Sequence, residues 1–286
     1  MGVSFGAMQA PHPPLHSYYT QEAERRSWVR QLFDRTAGDY DRIERVMALG
    51  SGPGYRRRAL GRAGLLPGMK VLDIGAGTGL TARQAALLVG ASGQVIGIDP
   101  SSGMIQCARV PAGVDLRVGS AEAIPAAAES ADFLCMGYAL RHIVDMSAAL
   151  REFMRVLKPG GRICLIEITR PAGRVPRAML KAYMRGVVPL LAGIVGENPD
   201  SPKLMRYYWD TIDACAAPHE ILQAIREAGF VEGYRYVQLG IFSEYCARKP
   251  LAQDLRKRRA ANHGERSKNP KKSRKCIHVN SALSRQ

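Results

Sequence analysis

The chain is 286 residues long and 46% hydrophobic, enough for a sizeable buried core in a single domain, and it carries a formal charge of +16. Residues 251–286 hold 11 Lys or Arg against two acids, so this tail supplies +9 and the rest only +7, an excess that speaks to association with anions rather than to chemistry. The six cysteines (Cys107, Cys135, Cys164, Cys215, Cys246, Cys276) form no C-x-x-C pair and have no His at ligand spacing; neither a metal site nor a disulfide framework is indicated, and a reducing, cytoplasmic setting fits.

Residues 1–19 contain Pro11, Pro13 and Pro14 with little apolar pattern and read as a disordered segment, with no sign of an export signal or lipid anchor. The folded domain is expected over residues 20–250, followed by a basic disordered tail over 251–286. Within the domain, short Val/Ile/Leu-rich runs alternate with helix-length segments. Strands are expected at 70–74, 94–99, 115–118, 132–136 and 161–168, then at 234–238 and 240–247. This pattern predicts an α/β fold with a doubly wound, mostly parallel seven-stranded sheet. The last two runs are nearly contiguous, which suits an antiparallel hairpin. Helices are expected over 81–89, ending before Gly90, and over 147–157, stopped by Lys158-Pro159-Gly160-Gly161. The most apolar run, 187–195, is interrupted by Pro189 and is far short of the roughly 20 residues that span a bilayer, so no membrane-crossing helix is expected.

The segment Val71-Leu72-Asp73-Ile74-Gly75-Ala76-Gly77-Thr78-Gly79-Leu80 is a strand running into Gly-x-Gly-x-Gly and then a helix. Glycines serve a tight turn whose ligand approaches the backbone too closely for a Cβ. Dinucleotide-binding loops space the third glycine one residue later, to set a pyrophosphate on a helix N-terminus. The spacing here favours S-adenosylmethionine (SAM), with Asp73 placed to help bind its ammonium group and Gly75, Gly77, Thr78 and Gly79 forming the cradle. Asp99 ends the second strand, where a carboxylate can accept both ribose hydroxyls; the alternative is an Asp that caps the next helix. Ser120 and Ala121 follow the third strand, at the place expected for adenine contacts. Met104 is a candidate cover for the adenine face or an ordinary core residue.

From Leu32 to Pro250 the sequence resembles the ubiquinone/menaquinone biosynthesis C-methyltransferase family. The segments that carry the resemblance are Leu32-Phe33-Asp34-Arg35 to Tyr40-Asp41, Val46-Met47-Ala48-Leu49-Gly50, the glycine loop, and Tyr138-Ala139-Leu140-Arg141-His142. It continues in Arg155-Val156-Leu157-Lys158-Pro159-Gly160-Gly161-Arg162, Leu165-Ile166-Glu167-Ile168 and Arg206-Tyr207-Tyr208. The resemblance implies SAM as cofactor, C-methylation of a lipophilic aromatic quinol precursor, Arg141 near the acceptor ring and Tyr40 near donor or acceptor. This chain has His142 in place of the family's Asn, Gly137 where the family often has a SAM-contacting serine, Ile43-Glu44-Arg45 for Met-Asn-Asp, and Gly240-Ile241-Phe242-Ser243-Glu244-Tyr245 in the last strand.

A ring carbon is methylated once the phenolic proton has been removed, so His142 is a candidate general base, with Arg141 stabilising the phenolate. The alternatives are a packing histidine and, for Tyr40, an ordinary half-buried tyrosine. An insertion over 169–215 is expected to cap the acceptor pocket. In it Met179, Leu180, Met184, Val187 and Val188 lie beside Arg174, Arg177, Lys181 and Arg185, which fits peripheral contact with a membrane surface or simply an amphipathic helix. A homodimer stays open. Three other readings stand behind this one: a small-molecule C-, O- or N-methyltransferase of secondary metabolism, a nucleic-acid methyltransferase, and a non-catalytic SAM-fold subunit. Nucleic acid is disfavoured by the lack of an (Asp/Asn)-Pro-Pro-(Tyr/Trp) box and of a Pro-Cys nucleophile, and loss of catalysis by the intact Asp73, glycine loop and Asp99.

Overall fold

The computed structural model describes residues 10–254. Seven strands form one sheet: β1 (Lys70–Ile74), β2 (Gln94–Asp99), β3 (Val114–Val118), β4 (Ala131–Gly137), β5 (Leu157–Ile168), β6 (Val231–Gln238) and β7 (Phe242–Arg248). Their order is β3-β2-β1-β4-β5-β7-β6. The first five run parallel, and β7 lies antiparallel to both β5 and β6. The doubly wound sheet and its closing hairpin are therefore as expected. The helices are α1 (Glu22–Met47), α2 (Gly52–Arg62), α3 (Leu80–Val89), α4 (Ser102–Gln106), α5 (Met146–Val156), α6 (Arg174–Ala182), α7 (Val188–Val195), α8 (Ser201–Ala214) and α9 (Pro218–Glu227).

Alternate residues of the central strands feed two cores, because side chains of a strand leave on opposite faces. Leu72, Ile74, Leu134 and Met136 join the core built with α5 and α9, while Val71, Phe133 and Cys135 join that of α2 and α3. Burial on both faces is why these strands read as unbroken apolar runs. A third, largely helical core gathers Leu32 and Ile43 of α1 with Val188 and Ala192 of α7 and with Leu204, Tyr207, Tyr208 and Trp209 of α8. Large side chains fully buried in such a layer each contribute about 1.5–3 kcal/mol.

Three expectations need correction. The Lys158-Pro159-Gly160-Gly161 string, expected to separate a helix from a strand beginning at 161, lies within the strand: α5 ends at Val156 and β5 begins at once at Leu157. The glycines instead serve an irregularity in the ladder, where pairing passes from Ala131↔Leu157 to Phe133↔Arg162 and Gly160 takes φ 83°. Residues 10–19, expected to be disordered, pack on the body: Pro11, His12 and Tyr19 are buried, and the Ala216 N–H donates to the Pro11 carbonyl at 2.6 Å. Three prolines do not prevent this, since a residue without an N–H has one fewer group to satisfy. Residues 1–9 and 255–286, including nearly all of the basic tail, lie outside the described residues.

The third correction concerns residues 174–195. They form one continuous helical stretch, in which a π-helical turn at Tyr183–Val187 joins α6 to α7 and immediately precedes Pro189, the residue that has no N–H to donate back into that turn. By length and composition this stretch of 22 residues is long enough to cross a membrane. Met184, Val188 and Ala192 on one face are buried in the helical core. The other face is open: Val175, Met179, Leu190 and Ile194 are all at least 66% exposed.

Candidate active site

From β1 the chain moves outward to β2 and β3, then returns to β4 on the other side of β1. The crevice at the carboxyl ends of β1 and β4 is thus the switch point at which doubly wound folds bind ligands. A cleft opens there. Its walls include Gly75, Gly77, Thr78, Asp99, Met104, Ser120, Ala121 and Gly137 at one end and Tyr40 and His142 at the other, all of them expected site residues.

Loop geometry at the first end is held by backbone groups. The N–H groups of Gly75 and Ala76 both donate to the Ile98 carbonyl, at 2.8 and 3.1 Å, which folds the loop across the end of β2. Gly75 has φ 68°, and a Cβ there would lie 2.5 Å from the Cβ of Ala139, so position 75 needs glycine for both conformation and space. The Asp99 carboxylate accepts the Gly77 N–H and the Ser101 N–H, each at 2.8 Å, leaving each oxygen a further lone pair. Burial pushes its pKa up to about 6. The helix cap foreseen as an alternative for Asp99 belongs to Ser101, whose hydroxyl accepts the Met104 N–H at 3.0 Å. Met104 sets its Cε against Gly77.

Two expected cofactor residues stand behind the cleft rather than in its wall. Asp73 is fully buried on β1; it accepts the Cys135 thiol at 3.5 Å, and its Oδ2 has no partner. Burial raises its pKa to about 7. Gly79 is the left-handed N-cap of α3, with φ 85°, and shapes the exit of the loop. The acid that does reach the cleft after β3 is Glu122, whose Oε1 accepts the Val144 N–H at 3.0 Å. Glu122 was not among the residues expected after β3, which were Ser120 and Ala121.

Helix α1 closes the cofactor end. Asp34 accepts the Ser101 hydroxyl at 2.6 Å and the Gly103 N–H at 2.9 Å. Seven residues on, two turns along the same face, Asp41 accepts the Thr78 hydroxyl and an Arg83 N–H. Both acids belong to the Leu32–Asp41 family segment, so a signal for them was present in the sequence, although their partners in the glycine loop, α3 and the start of α4 could not be read there.

The other end is aromatic. His142 ends a short 3-10 turn, Leu140–His142, after β4. Its ring stacks on Tyr207 at 5.5 Å with 22° between planes and meets Phe33 edge-on at 5.3 Å. Its Nε2 has no partner. Burial first, then the charges of Arg141, His12 and Arg25, holds the imidazole well below its usual pKa, so it is neutral at pH 7. Tyr40 and Tyr208 share a hydroxyl hydrogen bond of 2.5 Å. Arg56 also lines the cleft, ion-paired with Glu44 at 2.7 Å and 5.0 Å from the centre of the Tyr138 ring.

Arg141 is not where direct contact with an acceptor requires it. The side chain is fully buried, ion-paired with Glu167, hydrogen-bonded to Thr211 at 3.1 Å and seated 4.3 Å over the Tyr208 ring, and it does not line the cleft. A guanidinium taken out of water needs its carboxylate partner, and Glu167 on β5 supplies it from behind the site. Arg141 therefore acts on the site through Tyr208 and the turn it belongs to.

Gly137 is matched to its surroundings. A Cβ there would lie 2.2 Å from the Thr81 hydroxyl oxygen, so Thr81 fills the space that a larger residue at 137 would need.

The sheet order, the glycine loop at the switch point and the acid ending β2 define a SAM-dependent methyltransferase. Solved structures agree at the level of fold. The [4+2]-cyclase SpnF superposes with a TM-score of 0.56 at 16% identity, covering 85% of this chain and 100% of that one. A SAM-dependent methyltransferase from Thermotoga maritima, titled a possible histamine N-methyltransferase, gives 0.55 at 22% identity, covering 77% and 98%. The chain belongs to the ubiE/COQ5 methyltransferase family, whose model matches residues 19–249. It is 32% identical over 236 residues to the demethylmenaquinone methyltransferase of Symbiobacterium thermophilum, covering 79% of this chain and 94% of that protein. It is 31% identical to the ubiquinone/menaquinone biosynthesis C-methyltransferase UbiE of Syntrophotalea carbinolica, covering 79% and 96%. Its cofactor is SAM, and the cleft fits it: a glycine wall without Cβ atoms, a carboxylate with free lone pairs and a thioether lie together at one end.

Proposed function

We propose that this enzyme methylates a ring carbon of a lipophilic quinol or phenol, of the kind named in its relatives. The observation that carries this reading is the aromatic end of the cleft, Phe33, Tyr40 and Tyr208, in which the neutral His142 presents an unpartnered Nε2. SAM supplies an electrophilic methyl group. His142 takes the phenolic proton of the acceptor, and the oxygen's electron pair is released into the ring. The ring carbon bonds to the methyl group as that group's bond to sulfur breaks, leaving S-adenosylhomocysteine; the hydrogen on that carbon then leaves as a proton while His142 returns its proton to the oxygen, so aromaticity is restored and one proton in all is released to solvent. Tyr40 and Tyr208 orient the acceptor oxygen, and the apolar walls exclude water. Asp99 holds the ribose hydroxyls, Met104 covers the adenine beside Ser120 and Ala121, and Asp73 and Gly79 support the loop from behind.

The test is transfer of labelled methyl from SAM into quinol, phenol and RNA acceptors, with the methyl position located by mass spectrometry. Label on a quinol ring carbon is the expected result; label only in RNA would sink the proposal, and label on oxygen would support the small-molecule O-methyltransferase reading instead.

The exposed row Val175, Met179, Leu190 and Ile194, flanked by Arg174 and Lys181, supports delivery of the acceptor from an anionic lipid surface on which α6 and α7 lie. Flotation with anionic liposomes is expected to carry the protein upward. Failure to float, with sedimentation as a dimer that Met179→Asp dissolves, would assign this face to a second copy of the chain.

A further inference from the structure

All but the last residue of the segment 10–19 precedes the stretch matched by the family, 19–249, yet the segment reaches the back of the turn that presents His142. His12 is 3% exposed. Its Nδ1 lies 2.7 Å from the Pro13 carbonyl oxygen, an acceptor only, so Nδ1 carries the proton and Nε2 has the lone pair. That Nε2 accepts from Arg25 Nη2 at 2.8 Å. The same Nη2 donates to the carbonyl oxygen of Arg141 at 3.0 Å. This carbonyl belongs to the peptide unit joining Arg141 to His142, so its direction sets the plane from which the His142 side chain departs. A second route runs through rings. Tyr18 donates its hydroxyl to Asp210 at 2.6 Å and packs edge-on against Tyr207 at 5.2 Å, and Tyr207 stacks on the His142 ring.

We propose that residues 10–19 brace the acceptor end of the site, with His12 the positioning residue that, through Arg25, orients His142. The proposal rests on His142 being the residue that faces the acceptor. Burial and the Arg25 charge hold His12 down to about pKa 4, so its accepting nitrogen stays unprotonated across the neutral range. A proton there would set a donor against the guanidinium and release the Arg141 carbonyl. None of these bonds involves Gly75, Gly77, Asp99 or Met104, so cofactor affinity is independent of the brace.

His12→Leu keeps much of the volume and removes the acceptor, whereas His12→Gln returns an acceptor at similar reach. In the full-length protein, His12→Leu is expected to lower turnover about tenfold, the cost of a misplaced catalytic group. SAM affinity is expected to be unchanged and the ¹⁵N resonances of the His142 ring to shift, with both turnover and resonances restored in His12→Gln. Equal loss in the two variants, or unaltered His142 resonances in His12→Leu, would overturn the brace. Shifted resonances with full turnover would uphold the brace and remove the catalytic role of His142, which keeps the two failures apart.

Discussion

At the cofactor end of the cleft, the glycine loop, Asp99 and Ser101 lie within five residues of the ends of β1 and β2 and are held by backbone N–H groups. At the acceptor end, Phe33, Tyr40, His142 and Tyr208 come from α1, the turn after β4 and α8; the Tyr40–Tyr208 hydrogen bond alone spans 168 residues of chain. The first arrangement is fixed by the backbone and tolerates little change. The second is fixed by side-chain packing, so it is where relatives with one cofactor can diverge in what they methylate.

Substitutions test whether the two ends are separable. The largest effect is expected from His142→Ala: turnover falls about 10²- to 10⁴-fold, the usual worth of a general base, with SAM affinity intact by calorimetry. Loss of SAM binding in that variant would erase the distinction between the ends. Behind the acceptor end, Glu167→Ala leaves the fully buried Arg141 without its carboxylate and is expected to cost about 3–5 kcal/mol in denaturant unfolding. At the cofactor end, Asp99→Ala removes the bonds to Gly77 and Ser101 and the proposed hold on the ribose, and is expected to weaken SAM about 10- to 100-fold, while the turnover number at saturating SAM changes far less.

A pH dependence follows from the same carboxylate. Burial raises Asp99 from its usual value to about 6, so below that pH the empty protein holds it protonated, and a bound cofactor that favours the ionised form must expel the proton. SAM affinity is therefore expected to be flat above pH 7 and to fall about fivefold between pH 6 and 5. In Asp99→Asn this slope is expected to vanish. The smallest effect is Tyr40→Phe, which loses one hydroxyl bond worth about 0.5–1.5 kcal/mol and is read as a several-fold rise in the KM of the acceptor. A rise in the KM of SAM instead would move Tyr40 to the other end.

The cofactor end was legible because its residues are contiguous and each motif sits at a strand end. The strands were legible because burial on both faces writes unbroken apolar runs. Arg141 was found but misplaced: sequence shows a charged residue beside the site, not that Glu167 on β5 turns it inward. Phe33 and Tyr208 lie in segments recognised by resemblance, but their meeting depends on how α1 and α8 pack. The N-terminal segment was misread because prolines dominate it. The buried groups there, His12, Tyr18 and Tyr19, have meaning only beside Arg25, Tyr207 and Trp28. In the same way Pro189 hid a continuous helix, since a π turn places it where proline is tolerated.

Thr81 and Gly137 constrain what this sequence can become. A serine at 137 would have its Cβ 2.2 Å from the Thr81 hydroxyl oxygen. The two positions are thus coupled: a side chain at 137 requires Thr81 to turn its hydroxyl away or to be replaced by a smaller residue. Two related enzymes can bind the same methyl donor and still differ in how freely these residues exchange one at a time.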